Sequence, residues 1–74
     1  MDLRGLICPL PVLKTAKAMK PMAAGARVLV EVTDPMARID IPHFCAEHGH
    51  RLVATETVSA DGGEILRFTI EKAS

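Results

Sequence analysis

The sequence predicts an α/β (α+β) fold, a two-layer sandwich in which two helices pack on one face of a mixed four-stranded sheet. Segments with helical periodicity alternate with β-favouring segments in the order β-α-β-α-β-β. A glycine-rich turn separates the last two strands. The chain has 74 residues, of which 49% are hydrophobic, which is enough for one packed domain over residues 1–74 and too little for two.

The first half of the chain predicts a strand, a helix and a second strand. Asp2 to Leu6 predicts a short first strand, and Leu10 to Lys20 predicts a helix that ends before Pro21. The inward face of this helix is predicted to carry Val12, Leu13, Ala16 and Met19. Arg27 to Val32 is nearly continuous in β-favouring residues, which is typical of a central strand covered on its flanks.

Two helix-start patterns follow in the second half. Thr33-Asp34-Pro35 ends the strand and can open a first turn, and Asp40-Ile41-Pro42 repeats the pattern. The main second helix is therefore predicted from Ile41 to about His48, with Gly49 as its stop. Its inward spacing is shared by Ile41, Phe44, Cys45 and His48.

The rest of the chain predicts a hairpin. Arg51 to Val58 predicts a strand and residues 60–63 a turn. Ile65 to Glu71 predicts the last strand, with Leu66, Phe68 and Ile70 on one face. We expect the two crossovers to favour parallel pairing among the early strands and the hairpin to make the last pair antiparallel. Both helices then cover one sheet face, and Thr, Glu and Arg side chains leave the other face to water.

Cys8 is the residue that most needs an explanation. It precedes Pro9 and Pro11, and proline is well tolerated in the first helical turn, so Cys8 lies at or next to the N-cap. Unpaired N–H groups and the helix dipole stabilise a thiolate there, which lowers a thiol pKa from ~8.5 toward ~3.5–7.5. The two prolines also stiffen the junction, which favours an exposed sulfur over a small buried side chain.

The surrounding chain narrows the chemistry of this thiol. A cysteine hydrolase needs a nearby base. With both helices on one side of the sheet, His43, His48 and His50 could approach Cys8, but no pattern in the sequence shows that they do. A thioredoxin-like site needs a second cysteine at position 11, which is Pro11. No phosphate loop or cofactor motif is present, and no cofactor is expected. The pattern favours a sulfur that carries a group.

Composition and charge bear on other classes of function. The chain has no Trp or Tyr and only two Phe, so it offers little aromatic surface on which bases could stack. This weakens an RNA-binding interpretation. Two cysteines do not make a disulfide framework, and no apolar run reaches membrane-spanning length, so we expect a cytoplasmic protein with reduced thiols. Residues 1–30 carry a net charge of +4 and residues 31–74 a net charge of −4. Lys14 and Lys17, on the helix that Cys8 opens, are either solvated or contact a partner.

The second cysteine is interpreted as structural. Cys45 lies on the apolar face of the second predicted helix, so we expect it to pack in the core and not to act as a resolving thiol. His43, Cys45, His48 and His50 form a cluster without the second ligand pair of a structural zinc site, and no metal is expected.

The sequence resembles the TusA/SirA-like sulfur carrier family. The resemblance rests on Leu3 to Pro11, which includes the Cys-Pro-x-Pro motif at Cys8-Pro9-Leu10-Pro11. It continues through Asp34-Pro35, Asp40-Ile41-Pro42, Phe44-Cys45 and Gly49-His50-Arg51-Leu52, in order along the chain. It implies the same two-layer β-α-β-α-β-β fold.

The resemblance also implies a function. Cys8 would accept sulfane sulfur as a persulfide from a cysteine desulfurase or a rhodanese-like donor and relay it to an acceptor protein. It implies a sulfurtransferase-like shuttle more than a self-sufficient catalyst, serving tRNA thiolation, molybdenum-cofactor maturation or sulfur oxidation. Gly5, Pro9 and Pro11 would support the site. Arg4, Leu10, Lys14 and Lys17 are candidates for partner docking. Leu10 is apolar where some members have an acid, which bears on partner choice.

Two alternatives from other classes stay open at this point. In the first, the chain is a regulatory module of the same fold in which Cys8 senses oxidants or packs. In the second, the +4 half binds RNA directly.

Overall fold

A computed structural model describes residues 1–60 and 62–73 and has the predicted element order. The elements are β1 (Asp2–Leu3), α1 (Leu10–Met19), β2 (Arg27–Val32), α2 (Ala37–His48), β3 (Arg51–Ala60) and β4 (Gly63–Glu71). The four strands form one mixed sheet in the order β1-β2-β4-β3, and α1 and α2 pack on it. The predicted fold class is confirmed.

Strand pairing differs from the prediction at one point. β1 and β2 pair in parallel, and the β3–β4 hairpin is antiparallel, as expected. β4, however, lies between β2 and β3 and pairs antiparallel with both. The crossover through α2 therefore returns β3 in the same direction as β2 without making the two strands neighbours. The last strand in the chain therefore lies in the interior of the sheet, between β2 and β3.

The core lies between this sheet and the helices. Val30, Phe68 and Ile70 are fully buried there, and Leu66, which the sequence predicts on the same face as Phe68 and Ile70, is 2% exposed. Burial of each such side chain contributes ~1.5–3 kcal/mol. Oppositely charged side chains pair between the neighbouring strands β2 and β4. Arg67 lies 3.5 Å from Glu31, and Arg27 lies 3.3 Å from Glu71.

α1 is turned relative to its predicted orientation. Pro11, Thr15 and Met19 are its buried residues, while Leu13, predicted to face inward, is 57% exposed. Thr15 can be buried because its hydroxyl donates to the Pro11 carbonyl at 2.7 Å, which leaves no unsatisfied polar group. The helix ends at Met19, one residue before the predicted end.

α2 begins at Ala37, earlier than the predicted start at Ile41, and contains Pro42. The Asp34-Pro35 turn leads directly into the helix, since the N–H groups of Ala37 and Arg38 donate to the carbonyls of residues 34 and 35. One continuous helix buries Ala37 together with Ile41, which offsets the hydrogen bond that Pro42 cannot make. His48, predicted to face inward, is exposed.

The first strand and the hairpin have different lengths from those predicted. β1 stops at Leu3 because the next residues turn: the Leu6 N–H donates to the Leu3 carbonyl at 3.3 Å. The hairpin ladder extends to the Ala60–Gly63 pair, so both strands are longer than predicted. Asp61, in the predicted turn, lies outside the described residues. In the part of the chain that is described, no helix has the length and apolar character needed to cross a membrane.

Candidate functional site: an exposed thiol between two carboxylates

Cys8 lies in the loop between β1 and α1. Pro9 is the N-cap of α1, so Cys8 directly precedes the cap, and Pro11 occupies the first turn. The Cys8–Pro9 peptide bond is cis. The side chain of Cys8 is exposed, in contrast to that of Cys45. The sulfur is thus accessible to a second protein.

The backbone of this loop is tied to the loop that joins β2 and α2. The Cys8 N–H donates to Asp34 Oδ2 at 2.6 Å, and Asp34 Oδ1 accepts the N–H of Met36 at 3.0 Å. Three residues before Cys8, the Gly5 N–H donates to Thr33 Oγ1 at 2.9 Å. Gly5 has φ of +85°, a left-handed conformation that favours glycine.

The predicted lowering of the Cys8 pKa is wrong. The pKa of this thiol is raised, first by a hydrogen bond with the Asp40 carboxylate, then by partial desolvation and by the charges of Asp40 and Asp34. The helix start also offers fewer donors than expected. Pro9 and Pro11 have no N–H, and the Leu10 N–H donates to the Ile7 carbonyl at 2.9 Å. The prolines that mark the helix start therefore also remove N–H groups that would stabilise a thiolate there.

An open groove of about 210 Å³ runs from Cys8 between the two helices. It is lined by Cys8, Pro9, Val12, Asp40, His43, Phe44, Glu47 and His48. The sequence does not predict which histidines come near Cys8. In the structure, His43 and His48 line the same groove as the thiol. His43 Nε2 lies 3.4 Å from Glu47 Oε2.

The residues predicted to dock a partner are all on the surface. Arg4 is held by Asp2, with Nε 2.9 Å from Oδ1, and this pair lowers the pKa of Asp2 to about 2. Leu10, Lys14 and Lys17 are exposed along α1. Large apolar side chains are also exposed on the two helices and directly before them: Ile7, Leu13, Met36 and Ile39.

Cys45 and His50 have structural environments. Cys45 is 2% exposed in the core, and burial raises its pKa. His50 Nδ1 accepts the N–H of Ala73 at 3.0 Å, which ties the start of β3 to the residues after β4. Over residues 1–60 and 62–73, no three His, Cys, Asp or Glu side chains are arranged to hold a metal ion.

Sequence reasoning missed Asp34 and Asp40 as neighbours of the thiol. Both were interpreted as helix-start residues, and Asp34 does accept the N–H of Met36 before α2. The signal that could have found them is topological. In a β-α-β unit the loops after two parallel neighbouring strands lie at the same sheet edge, and these loops hold Cys8 and Asp34.

Comparison with known proteins places the chain in a family. The family model described as "Sulfurtransferase TusA" matches residues 1–72. Two proteins of Bacillus subtilis (strain 168) named "Putative sulfur carrier protein", YrkI and YrkF, are each 36% identical over 72 residues, 97% of this chain. The match covers 91% of YrkI but only 37% of YrkF, so the chain spans about a third of the latter.

A solved structure agrees with these relatives. The crystal structure of a SirA-like protein from Desulfitobacterium hafniense superimposes with a TM-score of 0.75 at 27% identity, covering 100% of this chain and 96% of that one. The sequence match and the structural match both extend over nearly the whole chain. This chain belongs to the TusA family of sulfur carriers.

Proposed function

We propose that this chain carries sulfane sulfur as a persulfide on Cys8, accepting it from one protein and passing it to another. The observation that carries the proposal is the exposed Cys8 sulfur on a loop that is hydrogen-bonded to its neighbour through Asp34. Membership of the TusA family supports the same function. A carrier needs a sulfur that two different proteins can reach, and this position provides it.

The transfer step requires no cofactor and no change in overall oxidation state. The Cys8 sulfur attacks the terminal sulfur of a donor persulfide, R–S–SH, forming a new S–S bond while the donor S–S bond breaks. The donor leaves as R–S⁻ and takes up the proton that Cys8 loses, giving R–SH and Cys8–S–SH. An acceptor thiol then attacks the terminal sulfur of Cys8–S–SH in the same way, and Cys8 returns to a thiol.

The neighbouring residues have supporting roles in this proposal. Gly5 allows the turn before the loop, and Pro9 and Pro11 restrict the backbone at the start of α1, which keeps the sulfur presented. Arg4, Leu10, Lys14 and Lys17 are exposed and are the candidates for contact with a partner.

The partners in this proposal are those that the resemblance to the sulfur carrier family implies. The donor is a cysteine desulfurase or a rhodanese-like protein, since both hold sulfane sulfur on a cysteine. The acceptor is a downstream thiol protein of tRNA thiolation, molybdenum-cofactor maturation or sulfur oxidation.

Intact-mass measurement tests the proposal. The protein is incubated with a cysteine desulfurase and cysteine, and separately with a rhodanese and thiosulfate, then measured without reductant. We expect a gain of one sulfur atom, about 32 Da, with at least one of the two donors. Cys8→Ser abolishes the gain and Cys45→Ser keeps it.

Two outcomes oppose the proposal. An adduct that persists in Cys8→Ser places the sulfur elsewhere. The absence of any adduct with both donors, in protein whose Cys8 still reacts with iodoacetamide, removes the carrier function and leaves a regulatory or packing thiol.

A further inference from the structure

Carboxylates from two different elements face Cys8. Asp34, in the loop before α2, accepts the Cys8 N–H at 2.6 Å, and Asp40, in the first turn of α2, raises the pKa of the thiol. Asp40 and Cys8 also line the same groove, together with Glu47 farther along α2. A thiolate formed at Cys8 would therefore lie in a field of negative charge, which disfavours it.

Among the described residues, no lysine or arginine lines this groove to offset the carboxylates. α1 contributes Pro9 and Val12 to the groove. The titratable groups of α2 in the groove are Asp40, His43, Glu47 and His48, and His43 lies against Glu47 at 3.4 Å. The nearest arginine in sequence, Arg4, is paired with Asp2.

We propose that Cys8 is a masked thiol: Asp40 holds it in the protonated form in the free protein, and a cationic group of the docking protein unmasks it. Asp40 acts here as a positioning residue. This inference rests on the proposed function for its choice of Cys8 as the reacting sulfur. The partner that fits is one that brings a lysine or arginine beside its own sulfur.

Keeping Cys8 protonated in the free protein limits side reactions of its sulfur. Thiolate, not thiol, attacks a sulfane sulfur, and the same thiolate reacts with peroxides and with unrelated disulfides. A sulfur that is exposed yet protonated is protected from those side reactions. When a cation docks against Asp40 and Asp34, it stabilises the developing negative charge on sulfur at the moment of transfer. Reactivity then depends on the partner being in place.

Small disulfides of opposite charge test the cation requirement without any partner protein. Cys8–SH attacks one sulfur of R–S–S–R, giving the mixed disulfide Cys8–S–S–R and R–SH, and mass mapping locates the product. Cystamine is cationic and dithiodiglycolate is anionic. We expect the rate ratio of cystamine to dithiodiglycolate to exceed that of the urea-unfolded chain by roughly tenfold at low salt. This excess should shrink at high salt because mobile ions screen the carboxylates.

Asp40→Asn provides the matched variant. It removes one carboxylate, so the rate ratio should fall toward the unfolded value, and the midpoint of the iodoacetamide pH–rate profile should move to lower pH. Glu56→Gln makes the same charge change on exposed β3, at the opposite edge of the sheet, and should change neither measurement.

The outcomes are decisive in both directions. An unchanged pH midpoint in folded Asp40→Asn overturns the mask, and a native rate ratio equal to the unfolded one overturns the cation requirement. If Asp40→Asn does not fold, the wild-type ratio and its salt dependence still decide the second point, and a wild-type pH midpoint below that of the unfolded chain overturns the first. No sulfur donor is used, so these results are independent of whether Cys8 can be loaded.

Discussion

The surroundings of the two cysteines raise the thiol pKa for different reasons. At Cys8, an exposed residue, the first cause is the hydrogen bond with Asp40, followed by desolvation and the charges of Asp40 and Asp34. At Cys45, buried among Ile41, Phe44 and the sheet, the cause is burial in an apolar core. A docking protein can neutralise carboxylates on a surface, but only unfolding can return a core thiol to water. The same direction of shift therefore gives one thiol that is controllable and one that is inert.

Alkylation of the native protein should give the largest contrast. Iodoacetamide at pH 8.5 is expected to modify Cys8 at least ~100-fold faster than Cys45, because Cys45 reacts only through openings that cost several kcal/mol. Peptide mapping over a time course measures both rates. If Cys8 and Cys45 are alkylated at equal rates in the native protein, and urea does not make Cys45 react faster, the assignment of Cys45 to the core is contradicted.

Substitution by serine should separate the two sites in stability. Cys45→Ser places a hydroxyl in the core and should lower the free energy of unfolding by about 1–3 kcal/mol. Cys8→Ser, on the surface, should stay within about 0.5 kcal/mol of wild type. Urea unfolding followed by circular dichroism measures both. A Cys8→Ser variant as destabilised as Cys45→Ser would show that Cys8 has a packing role.

Charge reversal on α1 should give the smallest effect. Lys14→Glu with Lys17→Glu is expected to slow sulfur loading by roughly 3- to 10-fold through slower association, while the domain stays folded. Arg51→Glu, exposed at the start of β3, is a control for charge change away from the Cys8 loop. Unchanged loading kinetics in the folded double variant would remove Lys14 and Lys17 from the docking surface.

Much of the fold could be predicted because its signals are local. Alternation in β4 gave the buried face of Leu66, Phe68 and Ile70, and the two prolines marked the start of α1. Where the local signals predicted the wrong burial or helix boundary, burial in the core or a local hydrogen bond determined the structure. Thr15 is buried because the Pro11 carbonyl satisfies its hydroxyl. α2 extends back past Pro42 because Ala37 and Ile41 share one buried face.

The position of the thiol could be predicted from sequence, but its electrostatics could not. The bond between the Cys8 N–H and Asp34 joins residues 26 apart in the chain, and the approach of Asp40 depends on how α2 packs beside the β1–α1 loop. The sequence predicts that Cys8 lies at a helix N-terminus and that its pKa is therefore lowered. Carboxylates from outside the β1–α1 segment raise the pKa instead. A prediction from one helix start cannot include their charges.

A pulse–chase experiment on the relay tests the central claim most directly. The protein is loaded with ³⁵S from a cysteine desulfurase and labelled cysteine, separated from the desulfurase, and chased with an excess of unlabelled small thiol. The account predicts one label per chain on the Cys8 peptide, complete release in the chase, and reloading of the same protein to the same level. Label on Cys45, or label on Cys8 that no thiol removes, would contradict a carrier function for this sulfur.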